Sequence, residues 1–390
     1  MNETKVPKLR FPEFSDKWDS KPLGKIFSIF NGNAFSSNDS TTSGTLWVKI
    51  ANVGINEMKN ENLAFLPSDF SDKYPNFLLK KGDYVIALTR PILNGKLKIA
   101  QIDEFFNNSL LNQRVGKLLS ENSHSFVYTI LQKDSIVSAI DTNISGTDPP
   151  NLSPSEIEDI IINIPSLPEQ QKIASFLTTV DEKLQSLKKK KTLLEQYKKG
   201  VMQKIFSQEI RFKDDNGNEF PEWEEKTLGD CLNYEQPTEY LVTSTDYDDS
   251  YKTPVLTAGK TFILGYTNET NGIFNKRLPV IIFDDFTTAI QFVSFPFKAK
   301  SSAMKILIAN SEYNIKYLFE AMKNIKYEIG GHERHWISKF SQLEIQCPCF
   351  SEQTKIANFL SAIDDKINHC QTQIEKTEMW KKGLLQRMFC

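Results

Sequence analysis

The stretch that most constrains this chain is Glu169 to Phe206, because it occurs twice. EQQKIASFLTTVDEKLQSLKKKKTLLEQYKKGVMQKIF returns without a gap as EQTKIANFLSAIDDKINHCQTQIEKTEMWKKGLLQRMF, from Glu352 to Phe389. Glu169, Gln170, Lys172, Ile173, Ala174, Phe176, Leu177, Asp181 and Lys183 stand opposite Glu352, Gln353, Lys355, Ile356, Ala357, Phe359, Leu360, Asp364 and Lys366. Lys198, Lys199, Gly200, Gln203 and Phe206 stand opposite Lys381, Lys382, Gly383, Gln386 and Phe389. A repeat this long sets the architecture before any local propensity does.

Within the first copy, apolar residues step by four and three: Ile173, Leu177, Val180, Leu184, Leu187, Leu194, Val201 and Ile205. The second copy gives Ile356, Leu360, Ile363, Ile367, Cys370, Ile374, Leu384 and Met388. This is a heptad seam, so each copy is expected to be a long helix, roughly 55–60 Å at 1.5 Å per residue. Neither helix buries its seam alone, and the simplest partner is the other copy. If each domain enters its helix in the same way, the pair is antiparallel about a pseudo-two-fold axis, with a globular domain at each end of a rod. Lys191 falls opposite Ile374 and Leu194 opposite Thr377, so the copies are not interchangeable. That favours a hetero-pair within one chain over four-helix self-assembly. The run Lys188–Lys191 reads as a solvated face. Gly200 and Gly383, interior to both helices, suggest close approach of another backbone, or a bend where a helix end meets a domain.

A second repeat opens each half. Leu9-Arg10-Phe11 and Ile210-Arg211-Phe212 lead to Trp18-x-x-Lys21-x-Leu23-Gly24 and Trp223-x-x-Lys226-x-Leu228-Gly229. The aromatics here read as packing that pins an extended entry segment. Between the frames lie α+β domains. Strand-like runs are Leu46–Ile50, Asp83–Leu88, Leu97–Ile102 and Val115–Leu119, then a helix over Phe126–Ile140. The second half gives Pro254–Leu256, Thr261–Tyr266, Val280–Phe283, Gln291–Phe295 and Lys305–Ala309, then a helix over Tyr313–Met322. The closing segments align Leu152-Ser153 with Ile337-Ser338 and Pro165 with Pro348. The expected division is residues 1–165, a helix over 166–207, residues 208–348, and a helix over 349–390.

The 390 residues carry a formal net charge of −2, so the chain is not coated in basic charge. A local stripe of Lys and Arg would still suffice to engage phosphates. Five cysteines, odd in number and scattered, make no disulfide framework and point to a reducing cytoplasm. No run of about 18 apolar residues suggests a membrane span, and MNETKVPKLRF does not read as a signal peptide.

Catalytic constellations do not assemble. Thr257-Ala258-Gly259-Lys260-Thr261 ends like a phosphate loop, but Pro254 occupies the place of its first glycine. Asp148-Pro149-Pro150-Asn151 resembles an amino-methyltransferase motif, with Asn where the base-stacking aromatic belongs and no Gly-rich cofactor loop before it. His332, His335, Cys347 and Cys349 are zinc-ligand types at poor spacing. Asp284-Asp285 lacks the second element a nuclease would need.

On these motifs the chain resembles the specificity subunit of type I restriction–modification systems. The duplicated Glu-Gln-x-Lys-Ile-Ala-x-Phe-Leu and Lys-Lys-Gly-x-x-Gln-Lys/Arg-x-Phe carry the resemblance, which covers essentially the whole chain. It implies two target-recognition domains joined by two long antiparallel helices. Each domain would read one half of a bipartite double-stranded DNA target, and the helices would set the spacing. It also implies two modification subunits that bind S-adenosylmethionine, two restriction subunits that use ATP and magnesium, and no catalytic residue, metal or cofactor on this chain. The alternative is a protein-only coiled-coil adaptor without DNA readout. Base-reading side chains are expected among Lys49, Asn52, Arg90, Asn94, Lys96, Gln113 and Arg114 in the first domain. In the second they are expected among Lys260, Thr261, Thr287, Thr288, Gln291, Lys300, His332, Arg334 and His335.

Overall fold

The computed structural model describes residues 6–144, 149–257, 259, 261–325, 327 and 335–390. The chain divides into two compact units. Unit 1 is Met1–Lys188 with Thr372–Cys390, and unit 2 is Lys189–Gln371.

Unit 1 contains β1 (Asp19–Pro22), β2 (Ser28–Asn31), β3 (Thr45–Val48), β4 (Phe65–Leu66), the short α1 (Phe70–Lys73), β5 (Tyr84–Ala87), β6 (Ile92–Leu93), β7 (Lys96–Leu97), β8 (Ile99–Gln101), β9 (Leu110–Leu111) and β10 (Val115–Leu119). The helices α2 (His124–Ile130), α3 (Asp134–Ile144) and α4 (Pro154–Ile157), and β11 (Ile161–Ile164), lead into α5 (Leu167–Phe206). Unit 2 contains β12 (Glu224–Thr227), α6 (Leu228–Cys231), β13 (Leu232–Glu235), β14 (Thr253–Leu256), β15 (Ile263–Thr267), β16 (Val280–Asp284), β17 (Ile290–Val293), β18 (Lys298–Ala299) and β19 (Met304–Ala309). It continues through α7 (Ile315–Asn324), α8 (His335–Ser338) and β20 (Glu344–Cys347) into α9 (Phe350–Met388).

The two units share one sheet plan, to which unit 1 adds the β6–β7 hairpin. The central sheet runs β2-β10-β5-β8 in unit 1 and β13-β19-β16-β17 in unit 2. A side sheet runs β4-β3-β9 in one and β15-β14-β18 in the other, each with one parallel pair, β3·β9 and β14·β18. An entry strand pairs antiparallel with a closing strand in both, β1·β11 and β12·β20.

Backbone bonds fix the register between the copies. Leu23 N–H donates to Ile160 O and Leu152 N–H to Leu88 O; Leu228 N–H donates to Leu343 O and His335 N–H to Asp285 O. Leu152 therefore matches His335, correcting the sequence alignment of Leu152-Ser153 with Ile337-Ser338 by two residues. The helix expected over Phe126–Ile140 is two helices, broken at Leu131-Gln132-Lys133. There Gln132 turns its side-chain oxygen to Lys381 Nζ at 2.7 Å, and Asp134 opens α3 where an acid suits the helix N-terminus.

The repeated residues hold each unit to its helices. Glu169, buried at the start of α5, receives both Nε and Nη2 of Arg10 at 2.7 Å and Trp18 Nε1 at 3.3 Å. Glu352, buried at the start of α9, receives Arg211 Nη2 at 2.9 Å and Trp223 Nε1 at 3.0 Å. A buried carboxylate needs such a forked, charge-assisted set of donors. The adjoining glutamines act as caps: Gln170 Oε1 accepts from Ser123 N–H, and Gln353 Oε1 from Asn314 N–H. In unit 1 the start of α5 packs beside the end of α9, with Ile173, Leu177 and Val180 in one core with Leu384 and Met388. In unit 2 Ile356, Leu360 and Ile363 of α9 share a core with Ile205 of α5. The seam therefore pairs opposite helix ends, the antiparallel arrangement.

Two seam lysines are buried with partners. Lys381 Nζ is 2.6 Å from Asp181, and Lys198 Nζ is 2.7 Å from Asp364 and 3.1 Å from Glu320. Gly200 and Gly383 lie inside unbroken helix, and a Cβ at either would meet no atom within 4 Å. Among the described residues, the expected close approach of another backbone is not there.

Candidate nucleic-acid interface

The central sheet of unit 1 gathers several loops at one end. β10 runs antiparallel to both neighbours, so β2 and β5 end where it begins: Gly116 lies opposite Asn31, and Val115 opposite Ala87. β3 and β9 run parallel, so Lys49 and Asn112 leave them side by side, with Asn112 N–H donating to Val48 O at 3.3 Å. Gln113 N–H donates to Asn33 O and Leu88 N–H to Arg114 O. Arg90, held at φ 49°, donates its N–H to Pro150 O. Gly32 is required here, since a Cβ would lie 2.2 Å from Asn112 O.

Of the seven first-domain candidates, this folding collects Lys49, Arg90, Gln113 and Arg114. The last three are exposed, while Lys49 Nζ sits 4.0 Å over the Trp47 ring, a cation–π contact. Asn94 and Lys96 lie on the separate β6–β7 hairpin. Asn94-Gly95 forms its tip with φ 51° and 69°, the two positive angles that a tight hairpin turn needs. Lys96 is drawn to Asp134 at 2.8 Å in an exposed ion pair. Asn52 is corrected: it is 1% exposed. Its carboxamide accepts from Lys49 N–H and donates to Lys59 O and Glu61 O, which leaves no donor for a base. Beside the cluster a cleft of about 400 Å³ is lined by Arg90, Ile92, Lys98, Asp141 and Pro150. Lys98, absent from the sequence expectation, donates to Ile50 O at 3.0 Å. Burial, and then the Lys59 charge, lower its pKa.

In unit 2, β16 and β13 end where β19 begins, giving the equivalent sheet end. Thr287 and Thr288 form the β16–β17 turn. Asp284 Oδ1 accepts from Phe286 N–H and Thr287 N–H, and Thr288 takes φ 56°. Asp285 behind it is buried against Lys305 at 3.2 Å and accepts from Trp336 N–H. Gln291 lies on β17, opposite Ile282. Thr261, in the β14–β15 turn, and Lys300 come together because Lys300 N–H donates to Leu256 O while Thr257 N–H donates to Phe262 O. Lys300 Nζ lies 5.8 Å over the Tyr247 ring. His335 is corrected: it is 0% exposed, with Nδ1 3.4 Å from Tyr327 OH, so it belongs to the core and not to a reading surface. Lys260, His332 and Arg334 lie outside the described residues. Phe286, missed from sequence, stands 42% exposed at the tip of the turn, a flat ring beside the two threonines.

Such loops on a rigid sheet end, bearing Arg, Gln and Thr, suit contacts to base edges and phosphates. The comparisons agree with the architecture. The family described as the type I restriction modification DNA specificity domain matches residues 15–196 and again 221–378. The chain belongs to this family. It is 54% identical over 127 residues to the specificity subunit of the type I restriction enzyme EcoR124I/EcoR124II of Escherichia coli, covering 31% of each chain. It is 31% identical over 207 residues to the MjaVIII specificity subunit of Methanocaldococcus jannaschii, covering 52% of this chain and 49% of that one. These matches span about a third and a half of the relatives' own lengths. The crystal structure of a type I restriction–modification S subunit from M. genitalium superposes with a TM-score of 0.71 over 99% of both chains at 17% identity, which shows the shared fold.

Proposed function

We propose that this chain reads a bipartite double-stranded DNA sequence, one half per unit, and carries no catalysis of its own. The observation that carries this is one frame built twice with different polar loops at the same sheet end. Arg90 and Arg114 are suited to the N7 and O6 acceptors of guanine, Gln113 to adenine, and the threonines to hydroxyl or methyl contacts with thymine. The paired helices space the half-sites, which lie about one helical turn, roughly 34–36 Å, apart when read from one face of B-DNA. They also dock two modification subunits. S-adenosylmethionine belongs on those subunits, and ATP and magnesium on two restriction subunits that complete a cytoplasmic complex. Among the described residues no helix is long and apolar enough to cross a membrane.

Methylome sequencing of the host with and without the gene tests this. The expected result is loss of one bipartite adenine-methylation motif. No change would favour a protein-only adaptor, against which the family match already stands. The ruler has its own test. Adding one helical turn near Lys188–Thr192, with a matching turn near Gln371–Glu375, adds 5.4 Å and should lengthen the spacer by about one or two base pairs. An unchanged spacer would sink the ruler.

A further inference from the structure

We propose that unit 2 selects its half-site by deforming it: Phe286 wedges between two adjacent base pairs and favours the step that unstacks most readily. The inference rests on the DNA-reading function proposed above and gives the means by which one unit carries it out.

Strand register places the ring. Asp285 N–H donates to Ala303 O as Leu88 N–H donates to Arg114 O, so Phe286 occupies the place of Thr89. Thr89 is buried and donates to Asn151 Oδ1 at 2.7 Å. Phe286 instead stands 42% exposed at the tip of the β16–β17 turn. The turn beneath it is firmly held. Asp284 Oδ1 accepts from the N–H groups of Phe286 and Thr287, and Asp284 O accepts from Thr288 N–H. Behind it Phe283 packs against Trp336 and Phe340, while Asp285 is tied to Lys305 and to Trp336 N–H. The unit therefore holds an aromatic ring out in water on a braced support, where the frame of unit 1 has a buried hydroxyl.

A second turn brings apolar groups to the same end. β14 runs parallel to β18, and Lys300, just past β18, donates its N–H to Leu256 O. The end of β14, the start of β15 and the approach to β19 thus gather where β16 stops. The β14–β15 pairing slips between Val255 and Leu256. Opposite that slip Ile263 and Leu264 are both exposed, although successive strand residues point to opposite faces. Exposed Lys300 adds a cation for phosphate. Asp285 to Ala289 carry no guanidinium or amide side chain that could fork onto a base edge. Apolar side chains act on DNA in another way: they enter between base pairs, partly unstack them and kink the duplex. The cost depends on the sequence deformed, since pyrimidine–purine steps yield easily and A-tracts are stiff. Unit 1, with Arg90, Gln113 and Arg114 at its sheet end, reads base edges, whereas unit 2 reads deformability.

The test uses the full chain assembled with its modification subunits, on duplexes carrying its methylated motif and labelled at both ends to report bending by energy transfer. The unit 2 half-site is the one that survives exchange of residues 25–150, and each of its steps is altered in turn. Wild type should bend the duplex and bind about tenfold or more weakly when one pyrimidine–purine step becomes AA. F286A should bend less and bind both duplexes within about twofold of each other, with its selectivity at the other half-site unchanged. F286L, still an apolar wedge, should recover most of the bend and of the step preference. F286A with the bend and step preference of wild type overturns the wedge. So does a uniform loss of affinity with the bend kept, which would place the ring against the DNA backbone, and so does a unit 2 half-site without a pyrimidine–purine step. A fall in the melting temperature of free F286A would make the ring part of the core and overturn it as well. A wild-type complex that binds no bipartite motif would bring down the DNA-reading function itself, whatever Phe286 does.

Discussion

Units 1 and 2 agree where they meet the long helices and differ where they face outward. The buried glutamate with its Arg and Trp donors, the capping glutamine, and the aspartate that holds a buried lysine recur in both. At the sheet end the likeness stops. Arg90 and Arg114 stand in unit 1 where unit 2 has the Phe286-Thr287-Thr288 turn and Ala303, with Asp285 and Lys305 neutralised behind it. Residues that hold a unit to its helix obey one geometry, whereas residues that read a target need not resemble each other at all. The largest effect expected is therefore exchange: replacing residues 25–150 by those of another family member should change one half-site completely and leave the other untouched. Methylome sequencing reads both halves at once. A change in both halves would mean that the units are coupled.

The clamps break the likeness by degree. Removing one member of a buried charge pair costs about 3–5 kcal/mol, because the other is left uncompensated. E169A strands Arg10, whereas after E352A Arg211 keeps Phe220 O, Pro221 O and Glu222, so the loss at Glu352 should be the smaller, each confined to its own unit and readable by hydrogen exchange. The buried lysines should differ. Lys198 answers two carboxylates, Asp364 and Glu320, whereas Lys381 answers Asp181 and the neutral Gln132. K198M should cost more than K381M, roughly 3 against 2 kcal/mol in urea unfolding. Equal losses would show that Lys316, 3.0 Å from Asp364, takes over when Lys198 is gone.

Smaller still is the expected cost at the reading loops. R90A and R114A should each weaken DNA binding by about 1–3 kcal/mol and relax one base position if they contact a base edge. Uniform loss across sequences with a shallower salt slope would place them on phosphates instead. N52A should behave differently from both, lowering stability of the Lys49–Glu61 loop first.

The frame was legible in the sequence because its constraints are local and repeated. The heptad gave the helices, and the Glu-Gln and Lys-Lys-Gly repeats marked residues that turned out to be clamps and caps. Their partners were not legible. Arg10 and Trp18 reach Glu169 from about 150 positions away, and spacing alone does not announce such a contact. The helix break at Gln132 was missed as well, and the lysine that Gln132 meets there, Lys381, lies 249 positions away. Asn52 and His335 were chosen by residue type, and only burial shows that their polar atoms face inward. Asn94-Gly95 carried a hairpin signal in plain sight, and there the local rule suffices. The grouping of Lys49, Arg90, Gln113 and Arg114 required the strand order, in particular the parallel β3·β9 pair.

Unit 2 also carries an acid-sensitive tie. Glu269 accepts from the N–H groups of Thr243 and Ser244 and from Thr243 Oγ1, and lies 2.9 Å from the buried Lys298. Burial alone would raise its pKa, but Lys298 and the backbone donors overcome that and bring it down to about 2. A carboxylate with a folded pKa below its unfolded value adds stability above the unfolded pKa and loses it as pH falls through the folded one. The contribution should be whole above about pH 5 and fade from about pH 4.5 toward 2. Between pH 6 and pH 3, wild type should lose about 1–2 kcal/mol more than E269Q, which has no charge to lose. The difference should be localised by hydrogen exchange to the Thr243–Ser244 segment and the neighbouring β14, β15 and β18. Parallel pH profiles for wild type and E269Q would mean that the tie is equally firm without its charge.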